Sequence, residues 1–259
     1  MLRFCANLSL LFTEHPLPAR FAAARAAGFS AVEIQFPYEL DIDTLRQLLA
    51  DNQQQLVLIN VPAGDLMQGG DGLACVPGQE QAFRLGVDRA VEYAHALGVP
   101  TVNVLAGRRP AGVPVEVCEA LLEANLEYAV ATFRDIGVTT VLEAINIFDM
   151  PRFLIHSLED MQRMCRKVPR LKMQFDCYHM SRMGEEVVEA LRDNLAQIGH
   201  VQFADNPGRH EPGSGRIDYR GVFTLLRDSA YAGWCGAEYR PSRTTEDTLA
   251  WWQRWRDGQ

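Results

Sequence analysis

The chain has 259 residues and a formal net charge of −8, with 47% hydrophobic and 22% charged residues. That balance is expected of a soluble globular protein, and the length suits one large domain over residues 1–259. There is no basic stripe to follow a phosphate backbone and no apolar run near the ~20 residues of a membrane span, which argues against nucleic-acid and membrane partners.

Strand-like and helix-like patterns then alternate eight times along the sequence. The strand-like runs are Arg3–Asn7, Ala31–Phe36, Leu56–Val61, Thr101–Leu105, Thr139–Ala144, Leu171–Asp176, His200–Ala204 and Trp234–Glu238. They are short and rich in Val, Ile, Leu and Phe, as strands buried on both faces should be. Between them the helical patterns are Pro18–Ala27, Ile42–Asn52, Glu80–Leu97, Val115–Ile136, Leu158–Arg166, Glu185–Ile198, Tyr219–Asp228 and Thr245–Trp255. Several stop on glycine, at Gly28, Gly98, Gly137 and Gly199, where a left-handed residue costs least. Eight such units imply a parallel sheet closed into a single (β/α)8 TIM barrel. The N-terminus enters a strand at once, with no basic leader. The six cysteines lack C-x-x-C spacing, so reduced thiols in the cytoplasm are the expectation.

Four of the strand-like runs end on polar residues that can hold a cation: Glu143, Asp176, Gln202 and Glu238. The gaps between them are 33, 26 and 36 residues. One strand, one helix and two loops take about 30 residues in such a barrel, so the four would ring one pocket at the C-terminal mouth. All four offer oxygen, which favours a hard divalent cation, Mg2+ or Mn2+, over zinc.

Two long loops follow strands three and seven. Pro62–Gly78 carries five glycines, and Asp205–Asp218 reads Asp-Asn-Pro-Gly-Arg-His-Glu-Pro-Gly-Ser-Gly-Arg-Ile-Asp. Both lie on the face where barrel active sites are built, so they are read as lids, against the plainer alternative of surface excursions. Three carboxylates around one dication leave the set at −1, so an anionic substrate needs a cation nearby. Arg209, in the second loop, and Arg240, two residues past Glu238, are placed to supply it, unless they are ordinary surface arginines. His179, three residues after Asp176, is expected over the same pocket as a substrate contact, or else as a packed or capping residue. His200 faces inward but deeper, in a structural position.

Glu143 and Glu238 can approach a substrate from different sides. A proton moved between adjacent carbons needs a base at one and an acid at the next, so the two could form a catalytic pair; they could equally be ligands and no more.

Five motifs carry a resemblance over nearly the whole chain: Phe36-Pro-Tyr, Pro62-Ala-Gly-Asp, Glu143-Ala-Ile-Asn, Asp176-Cys-Tyr-His-Met and Ala204-Asp-Asn-Pro-Gly-Arg-His-Glu-Pro-Gly. Together they resemble the hydroxypyruvate isomerase family of the xylose-isomerase-like TIM barrels. The resemblance implies an enzyme of glyoxylate metabolism that interconverts hydroxypyruvate and tartronate semialdehyde (2-hydroxy-3-oxopropanoate). Glu143 and Glu238 would be its proton-transferring pair, and Glu143, Asp176, Gln202 and Glu238 its metal set. His179 and Arg209 match substrate-contacting positions of related epimerases. Three positions depart from those epimerases: Gln202 replaces a histidine ligand, Asp149 replaces a sugar-contacting glutamate, and Arg240 adds a charge suited to an acid substrate. A 2-oxo-tetronate isomerase is the nearest alternative, followed by a ketose 3-epimerase. Outside the isomerases stand an apurinic endonuclease-like barrel, which would need many histidines and a basic groove, and a small-acid binding barrel. The expected partner is a small hydroxy-oxo acid, and a homo-oligomer is allowed for.

Overall fold

The computed structural model describes residues 2–256; residues 1 and 257–259 of the expected domain lie outside the described residues. Eight parallel strands close into a barrel in chain order: β1 (Arg3–Asn7), β2 (Ala31–Ile34), β3 (Gln55–Asn60), β4 (Thr101–Val104), β5 (Thr139–Glu143), β6 (Lys172–Asp176), β7 (Ile198–Phe203) and β8 (Trp234–Ala237). β8 returns to β1, pairing Cys5 with Gly236 and Ala6 with Ala237. Nearly every strand residue is buried, because the inner face packs on itself and the outer face on helices.

Helices α1 (Leu17–Ala26), α2 (Ile42–Asp51), α3 (Glu80–Leu97), α4 (Val115–Arg134), α5 (Leu158–Lys167), α6 (Cys177–Arg182), α7 (Val187–Asn194), α8 (Tyr219–Asp228) and α9 (Ala250–Arg256) complete the chain. Their starts follow side-chain chemistry. Asp41 accepts from the Thr44 N–H, Asp218 from Gly221, and Ser157 with Asp160 forms a reciprocal capping box.

The structure departs from the expected elements in three places. The helix expected over 185–198 is α7 followed by a 3-10 turn at Leu195–Gln197, and Gly199 lies inside β7 rather than ending a helix. A Cβ on Gly199 would press on Val141 of β5 and Lys172 of β6, so the glycine serves close packing inside the barrel. The last helix begins five residues late, at Ala250, because Thr245 is tied to Phe12 and Glu14 and opens a short 3-10 turn. Helix α6 has no counterpart among the expected elements.

The two long loops each carry hydrogen-bonded anchors, half-buried in the first and buried in the second. In the first, Asp65 accepts from the Gly72 N–H, and Arg108 donates to the carbonyls of Leu66 and Gly70. In the second, the fully buried Asp205 accepts from the N–H groups of Asn206, Gly213 and Ile217. Six free cysteines are present, five of them buried. Among the described residues no helix is long and apolar enough to cross a membrane.

Candidate active site

A cavity of about 450 Å3 opens at the C-terminal ends of the strands, and Glu143, His179, Arg209, Glu238 and Arg240 all line it. Asp149, Tyr178 and the loop residues Leu66 and Met67 complete much of its wall. Glu143 ends β5, Asp176 ends β6, and Glu238 follows β8 directly. Asp176 and Gln202 are register partners across β6 and β7. The strand-end spacing thus converges on one mouth.

Asp176 does two things at once. Its Oδ1 caps α6, accepting from the N–H groups of Tyr178 at 2.7 Å and His179 at 3.4 Å. That cap turns the chain sharply after β6 and carries His179 back over the cavity. Its Oδ2 is buried and has no hydrogen-bond donor. A buried carboxylate oxygen without a partner is costly, and a cation would satisfy it.

Glu238 is densely held. Its Oε1 accepts from Asn7 and Gln35, both at 2.9 Å, and from Gln202 at 3.3 Å, while its Oε2 pairs with Arg209 at 2.5 Å. Glu143 has one long donor, Asn103 Nδ2 at 3.2 Å. Burial, then repulsion from Glu238 and Asp176, pushes Glu143 well above the usual carboxylate range. Burial also raises Asp176, against the pull of Arg209. Glu238 is pushed up to about 7 by burial, with Arg209 pulling the other way. Three buried carboxylates with one guanidinium among them are short of positive charge. Together with the orphaned Oδ2 and the all-oxygen character of the carboxylates, this means the residues fit a hard divalent cation.

Gln202 reaches the cluster by its other end. Its Nε2 donates to Glu33 Oε1 at 2.8 Å and to Glu238, while its oxygen accepts from Gln174 at 2.7 Å. Two carboxylates on one side demand the amide nitrogen there. The expected oxygen ligand is presented to the site only if this amide turns over. Arg209, expected to hold the substrate, is committed to Glu238 and lies 3.7 Å from Asp176, so it belongs to the carboxylate cluster itself. Arg240 is exposed at the rim, and its guanidinium makes no hydrogen bond or ion pair with the described residues. Arg240 is the freer cation of the two.

Sequence reasoning missed a layer below. Glu33 on β2, fully buried, accepts from Asn7, Gln202, Cys5 and His200, the last at 2.7 Å. A Cβ on Gly236 would collide with both Glu33 oxygens, so the glycine makes room for the carboxylate. The deeper, structural position expected of His200 is where it stands. Cys5, Glu33 and His200 also lie close enough to ligate a metal, but their hydrogen bonds already satisfy Glu33. The available signal was a glutamate inside the otherwise apolar run Ala31-Val-Glu-Ile, on a strand buried on both faces.

A profile described as xylose isomerase-like TIM barrel matches residues 21–255. A hydroxypyruvate isomerase of Escherichia coli (strain K12) is 43% identical, covering 99% of this chain and 100% of the relative. A 2-oxo-tetronate isomerase of Cupriavidus necator is 42% identical, covering 97% of each. Among solved structures, an AP endonuclease, family 2, from Brucella melitensis superposes with a TM-score of 0.94 at 36% identity, over 98% of this chain and 99% of that one.

Proposed function

The chain belongs to the xylose isomerase-like TIM barrel family, and we propose that it is an isomerase interconverting hydroxypyruvate and tartronate semialdehyde. The observation that carries the reading is two buried glutamates, Glu143 and Glu238, lining one small cavity from different strands. One removes a proton from C3 of hydroxypyruvate and the other delivers one to C2. One C–H bond breaks, one forms, and the C3 hydroxyl proton passes to the oxygen at C2, so the atoms balance without an oxidant.

Glu143, Asp176 and Glu238 would hold a divalent cation, joined by Gln202 if its amide turns. When bound, the cation supplies positive charge to the two oxygens on the reacting carbons. Arg209 fixes the Glu238 carboxylate, and Arg240 at the rim takes the substrate carboxylate. His179 faces the reacting oxygens, and the two long loops, through Leu66, Met67 and Gly208, limit water around them.

The 42% identity to a 2-oxo-tetronate isomerase supports a second reading with the same chemistry on a longer acid. The nuclease name of the structural relative finds less support. Of the six histidines only His179 lines the cavity, and a net charge of −8 does not suit a phosphate backbone. The test is a coupled assay of the purified protein against hydroxypyruvate, 2-oxo-tetronates and ketohexoses. The highest kcat/KM is expected for hydroxypyruvate; a preference for a ketohexose, or no turnover of either acid, would sink the proposal.

A further inference from the structure

His179 Nε2 lies 3.8 Å from Glu143 Oε1 and 3.6 Å from Asp176 Oδ2, and the three side chains are grouped closely enough to ligate one metal. Whether the ring acts as a ligand or as a hydrogen-bond donor depends on which nitrogen carries its proton. A ligand needs a lone pair on Nε2; a donor needs an N–H there.

The other side of the ring decides the matter. Asn146, fully buried in the loop after β5, accepts at its side-chain oxygen from two backbone N–H groups, Phe148 at 3.1 Å and Asp149 at 2.9 Å. Those two donors fix which end of the amide is oxygen. The nitrogen end must then point the other way, where it donates to Asp149 Oδ2 at 3.1 Å and stands 2.7 Å from His179 Nδ1. The backbone N–H of Asn146 also points at Nδ1, from 3.3 Å. A proton on Nδ1 would face two donors head to head, between two buried side chains.

We propose that Asn146 is a positioning residue that holds His179 as the neutral Nε2–H tautomer, so that the ring serves as a hydrogen-bond donor to the substrate's reacting oxygens and not as a further metal ligand. Both carboxylate oxygens facing Nε2 lie beyond hydrogen-bond distance, which leaves this N–H to an incoming oxygen. A neutral donor aimed at the place where negative charge develops favours the transition state over the ground state. The tautomer rests on the hydrogen-bond geometry alone; the donor role rests also on the isomerase reading.

The experiment uses the full chain with 15N-labelled histidine and reads the tautomer by long-range 15N–1H correlation, His179 being identified by its loss in His179→Gln. The wild-type ring is expected to carry its proton on Nε2 at neutral pH. Asn146→Ala, which keeps only the backbone donor, should show a mixture of tautomers. Its kcat should fall by up to the ~10²–10³-fold that follows loss of one oxyanion donor, with KM much less affected. Asn146→Asp, which places an acceptor beside Nδ1, should move the proton there and strengthen binding of Co2+ added alone. A wild-type ring protonated on Nδ1 overturns the proposal even if both variants fail to fold. An unchanged tautomer in Asn146→Ala overturns the role of Asn146, and a mixed tautomer with unchanged kcat overturns the donor role. A fixed Nε2–H tautomer in a chain that does not turn over hydroxypyruvate overturns the proposed reaction alone.

Discussion

The two sides of the cavity treat the same side chain differently. On the β8 side, Glu238 accepts from Asn7, Gln35, Gln202 and Arg209; on the β5 side, Glu143 meets only Asn103. Donors aimed at a carboxylate stabilise its charged form and hold it still, whereas burial without them favours the proton. The contrast follows from what lies beneath. Glu33 and His200 form a polar floor under Glu238, sharing Asn7 and Gln202 with it, and among the described residues no comparable network lies under Glu143. A pair of identical residues is thereby made unequal, Glu238 held in place by four donors and Glu143 left more dependent on a cation or a proton.

The largest expected effect comes from the pair itself. Glu143→Gln and Glu238→Gln should each cost ~10²–10⁴-fold in kcat, and the double variant should lose little more than the worse single one. The comparison sharpens in urea melts of the same proteins. An amide at position 238 sets its NH2 against surrounding donors and should destabilise the fold by about 1–3 kcal/mol, while Glu143→Gln should be close to neutral. Equal losses of stability would show that the two sides are not different.

Next comes the floor. Glu33→Ala removes an acceptor shared by four donors and should destabilise by about 3–5 kcal/mol, the scale for breaking a buried ionic pair. Glu33→Gln, of similar volume, should fold better yet still lower kcat by loosening Gln202 and Asn7. A Glu33→Gln enzyme with wild-type kcat would separate the floor from the site.

Mn2+ should raise the melting temperature, equivalent to about 2.7 kcal/mol at a hundred times its Kd. Asp176→Asn should abolish that rise. A wild-type melting curve indifferent to Mn2+ and to chelator would remove the cation from the β5 side. The smallest effect is at the rim. Arg240→Ala should raise KM for hydroxypyruvate by about tenfold, the loss of one exposed charge-assisted contact, and leave kcat in place. Arg209→Ala should instead lower kcat, because Glu238 loses its partner. If the two arginines exchange these signatures, Arg209 holds the substrate after all.

The barrel was legible because its strands are local: a run of Val, Ile and Leu between glycines marks a buried strand wherever it occurs, and β1, α3 and α8 fall at the bounds expected. The strand-end residues were legible through regular spacing. Helix α6 was not, because the spacing marks the residue that starts it, Asp176, as a ligand, and its two carboxylate oxygens divide the two purposes between them. Glu33, Asn7, Gln35 and Asn103 were missed for another reason. Each acquires its role from a partner on a different strand, and no local pattern announces that. Gln202 shows the remaining gap: spacing located the residue, but only its neighbours Glu33 and Gln174 determine which end of the amide faces the site.

Asn7 and Glu238 touch across 231 positions of sequence, at the seam where β8 meets β1. During synthesis the first of these residues emerges long before the second, so Asn7 can meet Glu33 early, while its contact with Glu238, and that of Gln35, wait for the final strand. Such distant pairings form late, since loop closure is unfavourable until they are made. Turnover should therefore report on ring closure as well as on chemistry: a refolding chain is expected to recover activity only when its two ends have been joined into one wall.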